Sequence, residues 1–167
     1  MDALKLLTDQ HREVEQLFKA YLELEEGDDR NRKLLFLQIA DSLAAHATIE
    51  ETHFYPALKE KQQDQEGDVL EAVEEHLAVK RILSDLLDMQ PNDRTFDAKI
   101  KTLKEMVEHH VGEEEKEMFP EVRKVFSREE LEQMGKAMED TIAELMAEGE
   151  GEPSSEIPKQ TNKAPRM

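Results

Sequence analysis

Four histidines and two glutamates stand at spacings suited to holding metal ions. His46 is followed four residues later by Glu50, and His110 four residues later by Glu114. On a helix that spacing puts imidazole and carboxylate on one face, about 6 Å apart. Six residues beyond each glutamate comes a proline, Pro56 after Phe54-Tyr55 and Pro120 after Met118-Phe119. The two segments are offset by 64 residues, and two further histidines, His11 and His76, lie 65 apart, each in the stretch before its partner motif. The chain therefore reads as a doubled hairpin.

One histidine on an apolar stripe is more often a satisfied core residue than a ligand. Four of them, one on each of four helices, all need polar partners, and no plausible protein network serves them all. A carboxylate in a bundle core is costly unless it is paired or bound to a cation. Four imidazoles and two carboxylates satisfy two divalent or trivalent ions, with two histidines each and both glutamates bridging. Oxide, hydroxide or water would complete the bridge. Nitrogen and oxygen ligation without sulfur suits iron first, with manganese or zinc as substitutes. The expected ligand set is His11, His46, Glu50, His76, His110 and Glu114, with no catalytic residue outside the metal centre.

The elements that must position these groups are helical. Leu4, Leu7, His11, Val14, Phe18 and Tyr21 recur at spacings of three and four, the stripe of a helix facing a bundle core. A second helix is expected from about residue 30 to 62, a third through Val69, Val73, His76, Leu83 and Leu87, and a fourth from Phe96 to about Phe126. Pro56 and Pro120 each remove an N–H and should bend or locally open their helices just beyond the glutamates. Ser127-Arg128-Glu129-Glu130 reads as a capping box, opening a fifth helix with Leu131, Met134, Met138, Ile142 and Leu145 on its apolar side. Short loops make the long helices antiparallel neighbours. The expected fold is all-α, an up-down four-helix bundle over residues 1–126 built from two hairpins. A packed C-terminal helix follows over 127–148, then a disordered tail over 149–167, where three of the six prolines fall.

Composition excludes several function classes. Among 167 residues, 40 are acidic and 22 basic, for a formal net charge of −18. That charge opposes unassisted nucleic-acid binding, which depends on neutralising phosphates, and it equally opposes anionic membrane surfaces. No run reaches the ~18 apolar residues of a membrane span, nothing resembles a secretory leader, and the expected location is cytoplasmic. With no cysteine there are no disulfides, thiolate sites or thiol nucleophiles.

The ordered set of His11, His46 with Glu50, His76, and His110 with Glu114 resembles the hemerythrin-like family of HHE cation-binding domains. The aromatic-Pro segments, His53-Phe54-Tyr55-Pro56 and Glu117-Met118-Phe119-Pro120, resemble it too, and the likeness runs over about residues 4–126. The resemblance implies a non-haem di-iron centre, oxo- or hydroxo-bridged, with dioxygen, hydrogen peroxide or nitric oxide as small ligands. One departure stands out. Oxygen-carrying members have another histidine four residues after the one on the third helix, and this chain has Lys80 there. Lys80 is read as lying behind the ligands or swung away. Its repeat equivalent Glu15 adds a ligand to one ion, pairs with Lys80, or is an ordinary flank charge. Tyr55 is expected to pack at the hairpin end or to donate to a bridging ligand. Glu51, Glu113, Glu115 and Glu117 are expected to be mostly solvated, and His109 to face solvent.

With two histidines per ion the ions approach equivalence, which favours catalase-like peroxide disproportionation, or redox and iron sensing, over oxygen carriage. The alternatives are a binding module that signals ion or oxygen occupancy to a protein partner through residues 127–167, and metal buffering.

Overall fold

The computed structural model describes residues 1–149. Every regular element among them is helical. Helix α1 spans Ala3–Leu22 and α2 spans Asp29–Ile49; a π-helical turn, Glu50–Phe54, joins α2 to α3, Tyr55–Lys61. A 3₁₀ turn, Gln63–Gln65, leads into α4, Glu66–Leu87. Helix α5, Phe96–Glu113, passes through a second π turn, Glu114–Met118, into α6, Phe119–Val125, and α7 covers Arg128–Glu148. Four rods result: α1, α2–α3, α4 and α5–α6, with α7 added. No helix among the described residues is long and apolar enough to cross a membrane. The tail expected over 149–167 lies almost wholly outside the described residues.

Local sequence explains the starts. The Asp2 carboxylate accepts from the Lys5 backbone N–H at 2.8 Å and Asp28 accepts from Asn31, each capping free donors at a helix N-terminus. Ser127 and Glu130 form the full capping box expected for α7.

The two π turns are the form taken by the local opening expected near Pro56 and Pro120. Both begin at the glutamate of an His-x₃-Glu pair, and both end just before the proline segment. Tyr55 N–H donates to the Glu50 carbonyl five residues back, and Phe119 N–H to that of Glu114. A proline cannot supply the next rung of the ladder, so the helix widens over the turn before it. The expected local opening is present, and it takes in the glutamates themselves.

Two apolar clusters sandwich the histidine layer. One gathers Val14, Phe18, Phe36, Leu83, Phe96 and Leu103 at the loop end of the bundle. The other gathers Leu4, Leu7, Phe54, Leu58, Phe119 and Val122 with Leu131 and Met138 of α7. Helix α7 lies on α1, α2 and the first π turn. Its Gly135 is pressed so closely on the N-terminal backbone that a Cβ there would sit 2.1 Å from the Met1 carbonyl oxygen.

Candidate metal centre

The four rods bring His11, His46, Glu50, His76, His110 and Glu114 into one buried layer, none more than 7% exposed. Two overlapping groups form: His11, His46, Glu50 and Glu114, and Glu50, His76, His110 and Glu114, with the potential ligand atoms of each group within 4.8 Å of one another. The glutamates are common to both.

Each imidazole is held from behind. His11 Nδ1 lies 2.6 Å from a Glu115 oxygen and His76 Nδ1 lies 2.7 Å from Glu51. His46 Nδ1 lies 2.6 Å from the Gln10 side-chain oxygen and His110 Nδ1 lies 2.6 Å from Glu75. Facing an oxygen acceptor, each Nδ1 carries the proton and donates, which leaves the Nε2 lone pair pointing inward in the neutral ring. The inward geometry is then acceptor against acceptor. His11 and His46 Nε2 are 3.1 Å apart, as are those of His76 and His110. Glu50 Oε1 is 3.0 Å from His76 Nε2, and Glu114 Oε2 is 3.2 Å from His110 Nε2. Glu50 Oε2 and Glu114 Oε1 are buried with no hydrogen-bond donor. Only cations resolve such an arrangement, either extra protons or metal ions. The donor set fits a pair of ions: four imidazole nitrogens, two shared carboxylates, and three carboxylates (Glu51, Glu75, Glu115) behind the rings to balance charge.

The same electrostatics shows in proton affinity. Burial works against charge on His110, but Glu114, Glu50 and Glu75 outweigh it and push its pKa up to about 12. His11 and His76 are likewise raised against burial, by Glu114 and Glu115 for the first and by Glu50 and Glu51 for the second. Burial would favour protonated Glu50, yet the surrounding imidazoles hold its carboxyl well below the usual range. Outside the layer, a hydrogen bond to Glu75 pushes the Glu113 carboxyl up to about 7.

Tyr55 packs its ring in the apolar cluster with Phe54 and Leu58, as expected, and its hydroxyl reaches into the layer. Its hydroxyl donates to Glu114 Oε2 at 2.6 Å and lies 3.2 Å from Glu50 Oε1, and 3.3 Å from both His76 and His110 Nε2. The π turn does this. In an α-helix a residue five positions on is rotated by about 140°, whereas the wider turn returns Tyr55 to the face of Glu50. Burial and the two carboxylates raise the phenol's pKa and keep its proton in place. Its repeat equivalent Phe119 lies parallel to the His11 ring, centroids 6.1 Å apart.

The expectation that Glu51 and Glu115 are mostly solvated is corrected, since both carry an imidazole. Glu75 and Gln10 were not singled out by the sequence. The one available signal was the doubled Glu-Glu at 50–51 and 114–115. Lys80 sits behind the layer and donates to Glu51 at 3.4 Å. Glu15 pairs with Arg12, which also binds Glu115, so the Glu15–Lys80 pair is not formed and Glu15 belongs to neither group of potential ligands. His109 is exposed, as expected.

An apolar cavity of about 40 Å³ opens onto His11, His46, His76 and His110 from the side of Val14, Leu43, Val79, Leu83 and Val107. It has room for one or two molecules of water size.

The family model of the hemerythrin HHE cation-binding domain matches residues 2–122. The chain belongs to this family. A curated relative, a DNA nickase of Nostoc sp. (strain PCC 7120), is 32% identical over 124 residues, which cover 74% of this chain and 34% of that protein. This hemerythrin-like chain thus spans about a third of the length of that relative. Among solved structures, a hemerythrin HHE cation-binding domain-containing protein of Mycobacterium kansasii, the Rv2633c homolog, superposes with a TM-score of 0.79. It is 24% identical, covering 96% of this chain and 99% of that one, a likeness of fold.

Proposed function

We propose that the protein is a non-haem di-iron protein whose paired ions, held by His11, His46, Glu50, His76, His110 and Glu114, react with hydrogen peroxide or dioxygen. Peroxide disproportionation is the leading reaction. The observation that supports this reading is the near two-fold equivalence of the two groups, each offering two imidazoles and a share in the same two carboxylates. Two equivalent ions, when bound, would supply two-electron redox chemistry.

The chain's own residues do the rest. Glu51, Glu75, Glu115 and Gln10 fix the imidazole tautomers and aim Nε2 inward. The apolar lining of the cavity favours a small uncharged molecule over an ion. Tyr55 holds a hydroxyl whose oxygen is 2.6 Å from Glu114 Oε2, so that an O–H donor faces into the layer. That proton can be lent to an oxygen ligand as charge develops on it.

A second reading, sensing of iron or oxidant, is favoured by one contact. His53, in the π turn that starts at Glu50, bonds Thr141 of α7 at 2.7 Å, so any movement of that turn on metal binding would be passed to the C-terminal helix.

The test is peroxide decay with iron-loaded protein against free iron at equal concentration. Turnover above free iron is expected, and Tyr55→Phe should lower it about tenfold while two ions remain bound. Turnover no faster than free iron rejects the enzymatic reading. A change in α7 hydrogen exchange on iron loading would then support sensing.

A further inference from the structure

We infer that the acidic recess between α4 and the α5–α6 rod is the entry site for divalent cations, with an outer cation site at its mouth formed by Glu75, His109 and Glu113. This rests on the di-metal reading above and adds a route and a third binding position. The recess encloses about 420 Å³ and is lined by Asp68, Glu71, Glu75, Glu113, Glu117 and Glu121, against one lysine, Lys116. It reaches inward to His110 and Glu114. Glu114, 1% exposed, carries a buried oxygen that accepts no hydrogen bond. The recess thus ends on a buried carboxylate of the inner layer, whose second oxygen takes the Tyr55 hydroxyl.

The outer triad has ligand geometry of its own. Its three potential ligand atoms lie within 4.8 Å of one another, and His109 Nε2 is 3.1 Å from Glu113 and 3.7 Å from Glu75. Glu75 faces both ways, with Oε2 toward His109 and Oε1 2.6 Å from His110 Nδ1. One carboxylate therefore joins the outer position to the inner layer.

The duplication shows that this acidity is not the chain's general surplus. At the equivalent register the first hairpin carries Ala3, Leu6 and Gln10 on α1, and Ile49, His53 and Ala57 on α2–α3. No carboxylate occupies any of those six positions. That face is covered by α7, through Gly135 against the N-terminal backbone and Thr141 on His53. Among the described residues the second hairpin has no such cover, and it bears a carboxylate at every corresponding position. A cation leaving water for a buried site must exchange its hydration shell stepwise, and a carboxylate-lined cleft with low-dielectric walls both concentrates it and replaces its waters.

Two measurements test the proposal. Protein whose inner pair is filled with Zn²⁺ is titrated with Mn²⁺, followed by the electron paramagnetic resonance of free Mn²⁺ and by broadening of the His109 ring protons. One further saturable Mn²⁺ site is expected, lost in His109→Ala. Separately, Fe²⁺ uptake by metal-free protein is followed in wild type and in Glu71→Gln/Glu117→Gln/Glu121→Gln. Uptake should slow about tenfold at low salt, with the final content still two ions and the difference fading at high salt. No saturable Mn²⁺ binding, or uptake at the wild-type rate with two ions bound, overturns the entry proposal and leaves the di-metal reading standing. Protein that takes up no pair of ions in any form overturns both.

Discussion

The two hairpins hold the same imidazole–carboxylate layout and differ in what surrounds it. His11, His46 and Glu50 in the first correspond to His76, His110 and Glu114 in the second, and each imidazole is braced at the same register, Gln10 with Glu75 and Glu115 with Glu51. Around that shared centre, the Tyr55 phenol of the first hairpin has Phe119 as its counterpart in the second, and a helix-covered apolar face contrasts with an acidic one left uncovered among the described residues. Duplication explains the pairing of sites. The departures from it mark where a hydroxyl proton is kept and which face carries the carboxylates.

The strongest way to break the comparison is at the layer itself. His46→Ala and His110→Ala should each drop metal content from two ions to one or none, measured by elemental analysis, whereas His109→Ala should stay near two. Equal losses in His109→Ala and His110→Ala would show that the inner register is misassigned. One level out, Glu115→Gln should weaken metal affinity about 10–100-fold by competition with a chelator, through loss of the charge behind His11. Glu75→Gln copies the residue the first hairpin already has at Gln10, and should cost less than Glu115→Gln.

Gly135→Ala probes the covered half alone. The added methyl group meets the Met1 carbonyl and the backbone of Asp2 and Ala3, so α7 or the N-terminus must shift, at a cost of about 1–3 kcal/mol in thermal unfolding.

The smallest effect is a pH dependence of the metal-free protein. His110 is raised from 6.5 to about 12, so its contribution is complete below pH 6.5 and is lost as pH climbs toward about 12. Glu50 and Glu51 are lowered from 4.5, so theirs is present above that value and lost as acid protonates them in the fold. Melting temperature should peak between, and metal loading should flatten the alkaline side because the ions replace those protons.

Much of this was legible in the sequence. The histidine stripes, the doubled spacing and the capping box at Ser127 all follow from local periodicity, and the structure places them as expected. Tyr55 was legible only as a choice between packing and donation, because its approach to the layer depends on a π turn that helical periodicity does not encode. Glu51 and Glu115 were hidden by composition: among 40 acidic residues, a glutamate on a helix flank looks like solvated charge until the opposing rod is in place. Glu75 and Gln10 act across the interface between rods, and no spacing along one chain segment reveals such a partner.

The wide turn at Glu50–Phe54 amounts to one surplus residue threaded into an otherwise regular rod. Excising a single position there would restore ordinary winding and swing everything from Tyr55 to Lys61 by about 100°. The phenol would then leave its carboxylate while Glu50 stayed where it is. A one-residue change of length at this point would therefore take the buried phenol out of the layer without touching its histidines and glutamates.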